Sequence, residues 1–318
     1  MSAHQEKPVL FPDIEPYDSG SLKVSGLHEI YYEQVGSPQG IPLVFLHGGP
    51  GVGCSPKHRR YYDPRKFRVI LHDQRGAGRS RPFGELRENT TRDLTGDIGK
   101  LRAHLGLDRF ILLGGSWGST LALAYAEAHP EHVSGLILRG LYFATKAEKE
   151  NFYGEGVAAF FPEVTEAYWS RVPEIPGKSR PEQVLALLDN PDPQVRLHAA
   201  RAWSAYELKM AFLEMKDEDV ERELDAGDPT AVARIENHYM AHDCFLEEGE
   251  LLRGLDRIQD IPAVLVNGRY DVLCPPQYAW RLHKLLPKSK LWIIEKAGHS
   301  GGEPGIEAAL VQAVRTFE

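Results

Sequence analysis

The most constraining feature of the sequence is the pentapeptide Gly-Gly-Ser-Trp-Gly at 114–118, which lies between a predicted strand and a predicted helix. The apolar run 109–113 precedes it, and the alanine- and leucine-rich run 119–126 follows it. A strand that turns directly into a helix strains the central residue and needs small neighbours, because side chains there would collide. The serine hydroxyl then projects from the turn, near the positive end of the helix. The pattern G-x-S-x-G therefore predicts that Ser116 is a nucleophile, the alternative being a structural Gly-Ser turn.

A serine nucleophile needs a base, and the base needs a group that orients it. Asp271 follows an apolar predicted strand at 261–268, and His299 follows another at 290–295. Taken singly, the aspartate could be a turn residue and the histidine a solvated loop residue. The order Ser, Asp, His, each on a loop after a strand, is that of the α/β-hydrolases. We therefore predict a catalytic triad of Ser116, Asp271 and His299.

Acyl transfer also needs hydrogen-bond donors where negative charge develops on the carbonyl oxygen. One predicted donor is the backbone N–H of Trp117, directly after the nucleophile. The second is expected from Gly49, because the predicted strand 42–46 runs into the glycine-rich loop 47–51. A Gly-Pro turn without a catalytic part is the alternative. His47 is expected to brace this loop rather than to act in catalysis.

The order of the apolar segments predicts an α/β protein. Predicted strands at 26–34, 42–46, 67–71, 109–113, 132–138, 261–268 and 290–295 alternate with helical segments such as 89–105. This alternation predicts a mostly parallel sheet flanked by helices. From 141 to 255 the alternation stops, and the stretch is rich in helix formers and prolines. We therefore expect an α/β-hydrolase catalytic domain at 1–140 and 256–318, with a helical cap domain inserted at 141–255.

Composition limits the partners that the chain is expected to have. The chain has 318 residues, of which 42% are hydrophobic and 26% charged, and its net charge is −8. This charge argues against nucleic acid and anionic membranes as partners. Three scattered cysteines suggest neither a disulfide framework nor a zinc site. No apolar leader or membrane span is apparent, so a cytoplasmic location is expected, with no cofactor and no metal. The oligomeric state cannot be predicted.

Several blocks of the sequence resemble the proline iminopeptidases (prolyl aminopeptidases), a family of serine peptidases with the α/β-hydrolase fold. The blocks are 114–121 (GGSWGSTL), 47–51 (HGGPG), 73–80 (DQRGAGRS), 89–91 (NTT), 268–271 (GRYD), 274–276 (CPP) and 297–299 (AGH). The resemblance extends from about residue 10 to the C-terminus and includes the cap. It implies an exopeptidase that releases N-terminal proline from short peptides through an acyl-enzyme. The residues alone imply only a serine hydrolase.

Two glutamates of the predicted cap could bind the free amine of a peptide. Glu207 lies four residues after Trp203, and Glu236 lies three residues before Tyr239, so each carboxylate shares a helix face with an aromatic ring. Taken without context, both would be solvated helix residues. The resemblance implies that they are the amine-binding glutamates of the family, and paired carboxylates are a suitable receptor for an ammonium. Tyr206 stands where relatives more often have tryptophan, which puts the shape of the proline pocket in doubt.

The pyrrolidine ring of proline needs an apolar or aromatic pocket. Tyr142, Phe143 and Tyr153 are candidates by their position, and ordinary packing in the cap is the alternative for each. Cys274 is expected to lie near the site as a buried neighbour. Two other functions remain open: a broader small-residue aminopeptidase or esterase of the same fold, and a binding protein without turnover.

Overall fold

A single eight-stranded sheet forms the centre of residues 10–318, which are the residues that the computed structural model describes. Its strands are β1 (Asp18–Lys23), β2 (Glu29–Gly36), β3 (Ile41–Leu46), β4 (Phe67–His72), β5 (Phe110–Gly115), β6 (Val133–Arg139), β7 (Ala263–Gly268) and β8 (Ser289–Ile294). Their order is β1-β2-β4-β3-β5-β6-β7-β8. The pairs β1–β2 and β2–β4 are antiparallel, and all other pairs are parallel. The prediction of a mostly parallel sheet is therefore confirmed.

Strands in the middle of the sheet are buried on both faces. Every residue of β5 and β7 is buried, as expected for parallel strands covered on both sides. Strand β1 was not predicted, because the segment DSGSLK contains a single large apolar residue, Leu22. It lies at the edge of the sheet, where one face meets solvent and an apolar run is not required.

Helices cover both faces of the sheet and fill the segment between β6 and β7. They are α1 (Thr91–His104), α2 (Trp117–Ala128), α3 (Lys146–Tyr153), α4 (Glu155–Ala158), α5 (Pro162–Trp169), α6 (Arg180–Leu188), α7 (Pro193–Ala211), α8 (Asp217–Asp225), α9 (Thr230–Ala241), α10 (Glu250–Arg253), α11 (Pro276–Leu285) and α12 (Pro304–Arg315). Short 3₁₀ helices lie at Pro56–Arg60, Pro130–His132, Asp243–Phe245 and Leu255–Ile258. Helices α1, α2 and α11 contribute to the core on one face, and α12 contributes to the core on the other.

The segment between β6 and β7 contains helices and no strand. Three of its prolines begin helices rather than interrupt them, since Pro162, Pro181 and Pro193 each occupy a first helical turn. Its buried aromatic side chains belong to the same hydrophobic core as α1, α2 and α11. A catalytic domain at 1–140 and 256–318 with a cap at 141–255 remains our proposal, and residues 1–9 of it lie outside the described residues. Within residues 10–318, none of the helices has the length and apolar character needed to cross a bilayer.

Candidate active site

The turn that carries Ser116 is formed by close packing of backbone on backbone. Ser116 links β5 to α2 and has φ 56° and ψ −126°, which is strained for a residue with a side chain. A Cβ added to Gly114 would lie 2.1 Å from the carbonyl oxygen of Gly118. A Cβ on Gly118 would lie 2.1 Å from the carbonyl oxygen of Leu46. A side chain at Gly114 or Gly118 would collide with neighbouring backbone, so the turn requires glycine at both positions, as the sequence predicted.

Asp271 and His299 form a hydrogen-bonded pair beside this turn. His299 Nδ1 lies 2.8 Å from Asp271 Oδ2, and both side chains are nearly excluded from solvent. The other carboxylate oxygen of Asp271 accepts a hydrogen bond from the backbone N–H of Cys274 at 2.7 Å. Because an ionised carboxylate only accepts hydrogen bonds, Nδ1 carries the proton and Nε2 is the basic nitrogen. This is the tautomer that a general base for a serine requires.

The basic nitrogen of His299 is in contact with an arginine that sequence reasoning missed. Arg139, the last residue of β6, places Nη1 3.3 Å from His299 Nε2 and 2.9 Å from the His299 carbonyl oxygen. Burial lowers the pKa of Arg139. Among residues 10–318, Ser116 Oγ makes no hydrogen bond to His299, although both residues line one cavity. Catalytic hydrogen bonds often tighten only when substrate is bound. No local pattern identifies Arg139, because its partner is 160 residues away.

The two residues that the sequence predicts for an oxyanion hole lie near Ser116 in the structure. Gly49 and Trp117 line the same cavity as the serine, and among residues 10–318 neither N–H has an acceptor in the protein. His47 stabilises this loop: its Nδ1 lies 2.9 Å from the Gly48 carbonyl oxygen, and its Nε2 accepts from the Gln74 N–H at 2.9 Å. Burial lowers the pKa of His47, which favours this neutral form.

The predicted amine-binding glutamates face each other in the cavity. Glu207 of α7 and Glu236 of α9 both line it, and Glu236 Oε2 accepts a hydrogen bond from Trp203 Nε1 at 2.7 Å. Burial raises the pKa of Glu236 well above its usual value, and the neighbouring carboxylate of Glu207 raises it further. Burial also raises the pKa of Glu207, opposed by nearby His299. Charging both carboxyl groups is unfavourable, because Glu236 is buried and Glu207 is half-buried beside it.

The cavity is partly open to solvent and lies between the central sheet and helices of the segment that joins β6 to β7. Its lining is Gly49, Ser116, Trp117, Tyr142, Glu148, Phe152, Glu207, Glu236, Met240, Leu273, Cys274 and His299. The predicted catalytic residues Ser116 and His299 thus share one cavity with the two glutamates and with apolar side chains. A larger cleft lies between α1, α2 and α10, but none of the predicted site residues lines it.

Two of the three predicted proline-pocket residues do not reach the cavity. Tyr142 lines it, whereas Phe143 and Tyr153 do not. The Tyr153 ring stacks on Trp203 with centroids 5.6 Å apart, and its hydroxyl donates to Asn237 Oδ1 at 3.1 Å. Tyr153 therefore packs against other side chains and does not line the cavity. The backbone N–H of Phe143 donates to Glu148 at 2.9 Å. Expectations for Phe143 and Tyr153 are therefore corrected.

The apolar wall is instead formed by Phe152, Met240 and Leu273, which sequence reasoning missed. They come from α3, α9 and the loop after β7, and only the tertiary fold brings them together. Glu148 was missed as well, although the Thr145-x-x-Glu148 spacing is a readable capping box. Its carboxylate accepts from the Thr145 hydroxyl at 2.6 Å and caps α3.

Gly140 is expected to be essential for the geometry of the Asp271–His299 pair. It has φ +55°, and an added Cβ would lie 2.9 Å from His299 Cε1 and 3.4 Å from Asp271 Oδ2. Gly140→Ala should therefore displace the imidazole and lower kcat by roughly 100-fold, the cost of a misplacement of about 1 Å. The matched control is Gly96→Ala in α1, where an added Cβ meets nothing within 4 Å. Equal kcat in Gly140→Ala and Gly96→Ala would show that the Asp271–His299 pair functions despite the added methyl group.

Comparison with known proteins identifies the class. The family model described as "alpha/beta hydrolase fold" matches residues 41–305. An esterase from Exiguobacterium antarcticum has a TM-score of 0.62 at 22% identity, with 91% of this chain and 95% of that chain covered. A proline iminopeptidase-related protein from Thermus thermophilus has a TM-score of 0.61 at 23% identity, with 94% and 97% covered. The protein has the α/β-hydrolase fold.

Relatives with similar sequences show which family within this fold the chain belongs to. The chain is 48% identical to a proline iminopeptidase of Xanthomonas citri, with 97% of this chain and 99% of the relative covered. It is 47% identical to one of Arabidopsis thaliana, with 96% and 81% covered. A third, from Neisseria gonorrhoeae, is 42% identical, with 94% and 96% covered. The chain belongs to the proline iminopeptidase family, and the resemblance inferred from the sequence is confirmed.

Proposed function

We propose that this protein is a serine exopeptidase that releases N-terminal proline from short peptides. One observation carries the proposal: the carboxyl groups of Glu207 and Glu236 line the same cavity as Ser116 and His299. A free amine is what distinguishes the substrate of an aminopeptidase from that of an esterase. A pair of carboxylates holds such a cation through charge-assisted hydrogen bonds. The family relationship supports the same reaction.

Binding places the substrate for attack in the proposed mechanism. The ammonium of the first residue contacts Glu207 and Glu236, and its ring packs against the apolar wall that includes Phe152 and Met240. The amine of a proline is part of its ring, so anchoring the nitrogen also fixes the position of the ring. A substrate bound in this way directs its first carbonyl carbon towards Ser116. Holding the reacting atoms close and aligned lowers the entropic part of the barrier.

Acylation follows from the arrangement of Ser116, His299 and Asp271. For this step Ser116 Oγ takes the place of Arg139 Nη1 at His299 Nε2, and the imidazole removes its proton as Oγ attacks the carbonyl carbon. The N–H groups of Gly49 and Trp117 stabilise the oxyanion. His299 then gives the proton to the leaving amine, and a prolyl ester of the serine remains. Water, activated by the same imidazole, hydrolyses the ester and releases proline.

The proposed activity is tested by chromogenic substrates of three kinds. We expect turnover of a proline anilide with a free amine, much slower turnover of the alanine anilide, and little of a simple acyl ester. Comparable rates for proline and alanine would favour a broader small-residue aminopeptidase. Preference for the acyl ester would favour an esterase, and no turnover of any of them would favour a binding protein.

Binding of an amine is expected to release a proton from the glutamate pair. The raised pKa of Glu236 means that the empty pair keeps a proton to a higher pH than an isolated glutamate would. A bound ammonium stabilises the charged carboxylates and lowers that pKa, so the proton leaves and affinity rises with pH. Calorimetric titration with pyrrolidine, a cation at neutral pH, in buffers of different ionisation enthalpy should report release of up to one proton.

Two variants test whether the released proton comes from the glutamate pair. Glu236→Gln should abolish most of the release, whereas Glu163→Gln at an exposed position of α5 should not change it. Equal release in the wild-type protein and in Glu236→Gln would place the proton on another group.

We further propose a cytoplasmic location. Cys54, Cys244 and Cys274 are all free thiols, which is typical of proteins from reducing compartments. The proposed reaction uses the side chains of the chain itself and requires no cofactor.

A further inference from the structure

We propose that His129, Glu131 and His132 form a binding site for a divalent metal ion of the zinc type, separate from the active site. Glu131 Oε1 lies 3.7 Å from His129 Nδ1 and 3.6 Å from His132 Nε2. One ligand atom from each of the three residues lies within 4.8 Å of a ligand atom of the other two. Zinc is bound at about 2.0–2.2 Å by imidazole nitrogens and carboxylate oxygens, which puts tetrahedral ligands roughly 3.4 Å apart. An ion between the three atoms therefore requires only small movements of the side chains.

His132 is oriented as in metal sites where one ring nitrogen binds the ion and the other forms a hydrogen bond to a neighbouring side chain. Its Nδ1 lies 3.2 Å from the hydroxyl oxygen of Tyr125. A tyrosine hydroxyl oxygen can accept the Nδ1 proton. The lone pair of Nε2 then points to the cluster, and such outer hydrogen bonds fix metal-binding histidines in many proteins.

The charged groups that face His132 are Arg102, Glu131 and Asp108. Arg102 repels a cation, but its Nη1 donates to the Leu107 carbonyl at 2.6 Å, and the two acidic groups oppose its charge.

The backbone holds the three ligands in place. They belong to the turn between α2 and β6, which contains the 3₁₀ helix Pro130–His132. The backbone N–H of His132 donates to the His129 carbonyl at 3.0 Å, and that of His129 donates to the Tyr125 carbonyl at 2.9 Å. Ligands on ordered backbone lose little entropy when a metal binds. In the sequence, H-P-E-H has no zinc-motif spacing, and only the turn brings its side chains together.

The proposed site lies at the opposite end of α2 from Ser116. The helix has 12 residues, so the two sites are roughly 18 Å apart along its axis. Glu131 is largely exposed, so the fourth coordination position is open to water. The bound ion would connect the end of α2 to the start of β6, and binding only to the folded state stabilises that state.

Calorimetric titration of the tag-free, metal-stripped protein with Zn²⁺ tests this proposal. We expect one equivalent to bind with an affinity that falls roughly 100-fold or more in the double variant His129→Asn, His132→Asn. The matched control is His242→Asn, because His238 and His242 form another close pair, with ring centroids 4.8 Å apart. The control should bind as the wild-type protein does. Unchanged binding in the double variant, or loss in the control, would overturn the proposal.

A second readout keeps the test decisive if the double variant does not fold. Glu131→Gln alters an exposed side chain and should weaken zinc binding without loss of structure. Electron paramagnetic resonance of bound Cu²⁺ should show splitting from two nitrogens in the wild-type protein. Zinc should also raise the Tm of the wild-type protein more than that of Glu131→Gln. Coupling to no nitrogen, or an equal rise in Tm in both proteins, would contradict the proposed ligands.

Discussion

Replacing Ser116 with alanine is expected to lower kcat for a proline anilide by roughly 10⁴–10⁶-fold, as loss of a triad nucleophile does in other serine hydrolases. Without the hydroxyl no acyl-enzyme forms, and only the oxyanion hole and substrate binding remain. Folding should be unaffected, because among residues 10–318 Ser116 Oγ makes no hydrogen bond. Steady-state kinetics and thermal unfolding of the same preparation measure both effects.

The matched control is Ser170→Ala, which removes a hydroxyl from an exposed position after α5. It should retain the kcat and the Tm of the wild-type protein. Near-wild-type turnover in Ser116→Ala would exclude this serine as the nucleophile. A large fall in Tm in the same variant would mean that the turn, rather than the chemistry, had been damaged.

Replacing Glu207 or Glu236 with glutamine is expected to lower kcat/KM for a proline anilide by about 10- to 100-fold. Each change keeps the shape of the side chain but removes a charged hydrogen bond to the ammonium, worth roughly 1.5–3 kcal/mol. A substrate whose proline nitrogen is acylated carries no ammonium, so its kcat/KM should be nearly unaffected. The contrast between the two substrates is therefore the measurement that matters.

Glu163→Gln in α5 is the control for these variants, because it makes the same chemical change at an exposed position of the helical segment. It should not alter kcat/KM for either substrate. Equal losses on both substrates in Glu207→Gln or Glu236→Gln would mean that these glutamates support the structure and that the amine is bound elsewhere.

Structural features that depend on a short stretch of sequence could be predicted. The nucleophile turn depends on glycines that contact neighbouring backbone, so its pattern is visible in residues 114–118. Asp271 and His299 each follow a buried strand, and parallel strands bring their ends to one edge of the sheet. The apolar strands of the centre were predicted within a few residues, whereas the edge strand β1 lacks an apolar pattern.

Features that depend on contacts between distant segments could not be predicted. Arg139 touches His299 across 160 residues of sequence, and the apolar wall combines side chains of α3, α9 and the loop after β7. Phe143 and Tyr153 were chosen by their distance from β6 along the chain, which does not determine which side of a helix faces a cavity. Tyr153 packs on Trp203 instead.

Labelling with a fluorophosphonate, a reagent for activated serines, tests the central claim most directly. The account predicts one label on the peptide that contains Ser116, and slower labelling in the presence of pyrrolidine, which occupies the cavity through its ammonium. In the double variant Glu207→Gln, Glu236→Gln the label should remain on Ser116, but pyrrolidine should no longer slow it. A label on another residue, or protection that persists undiminished in the double variant, would contradict the proposed site.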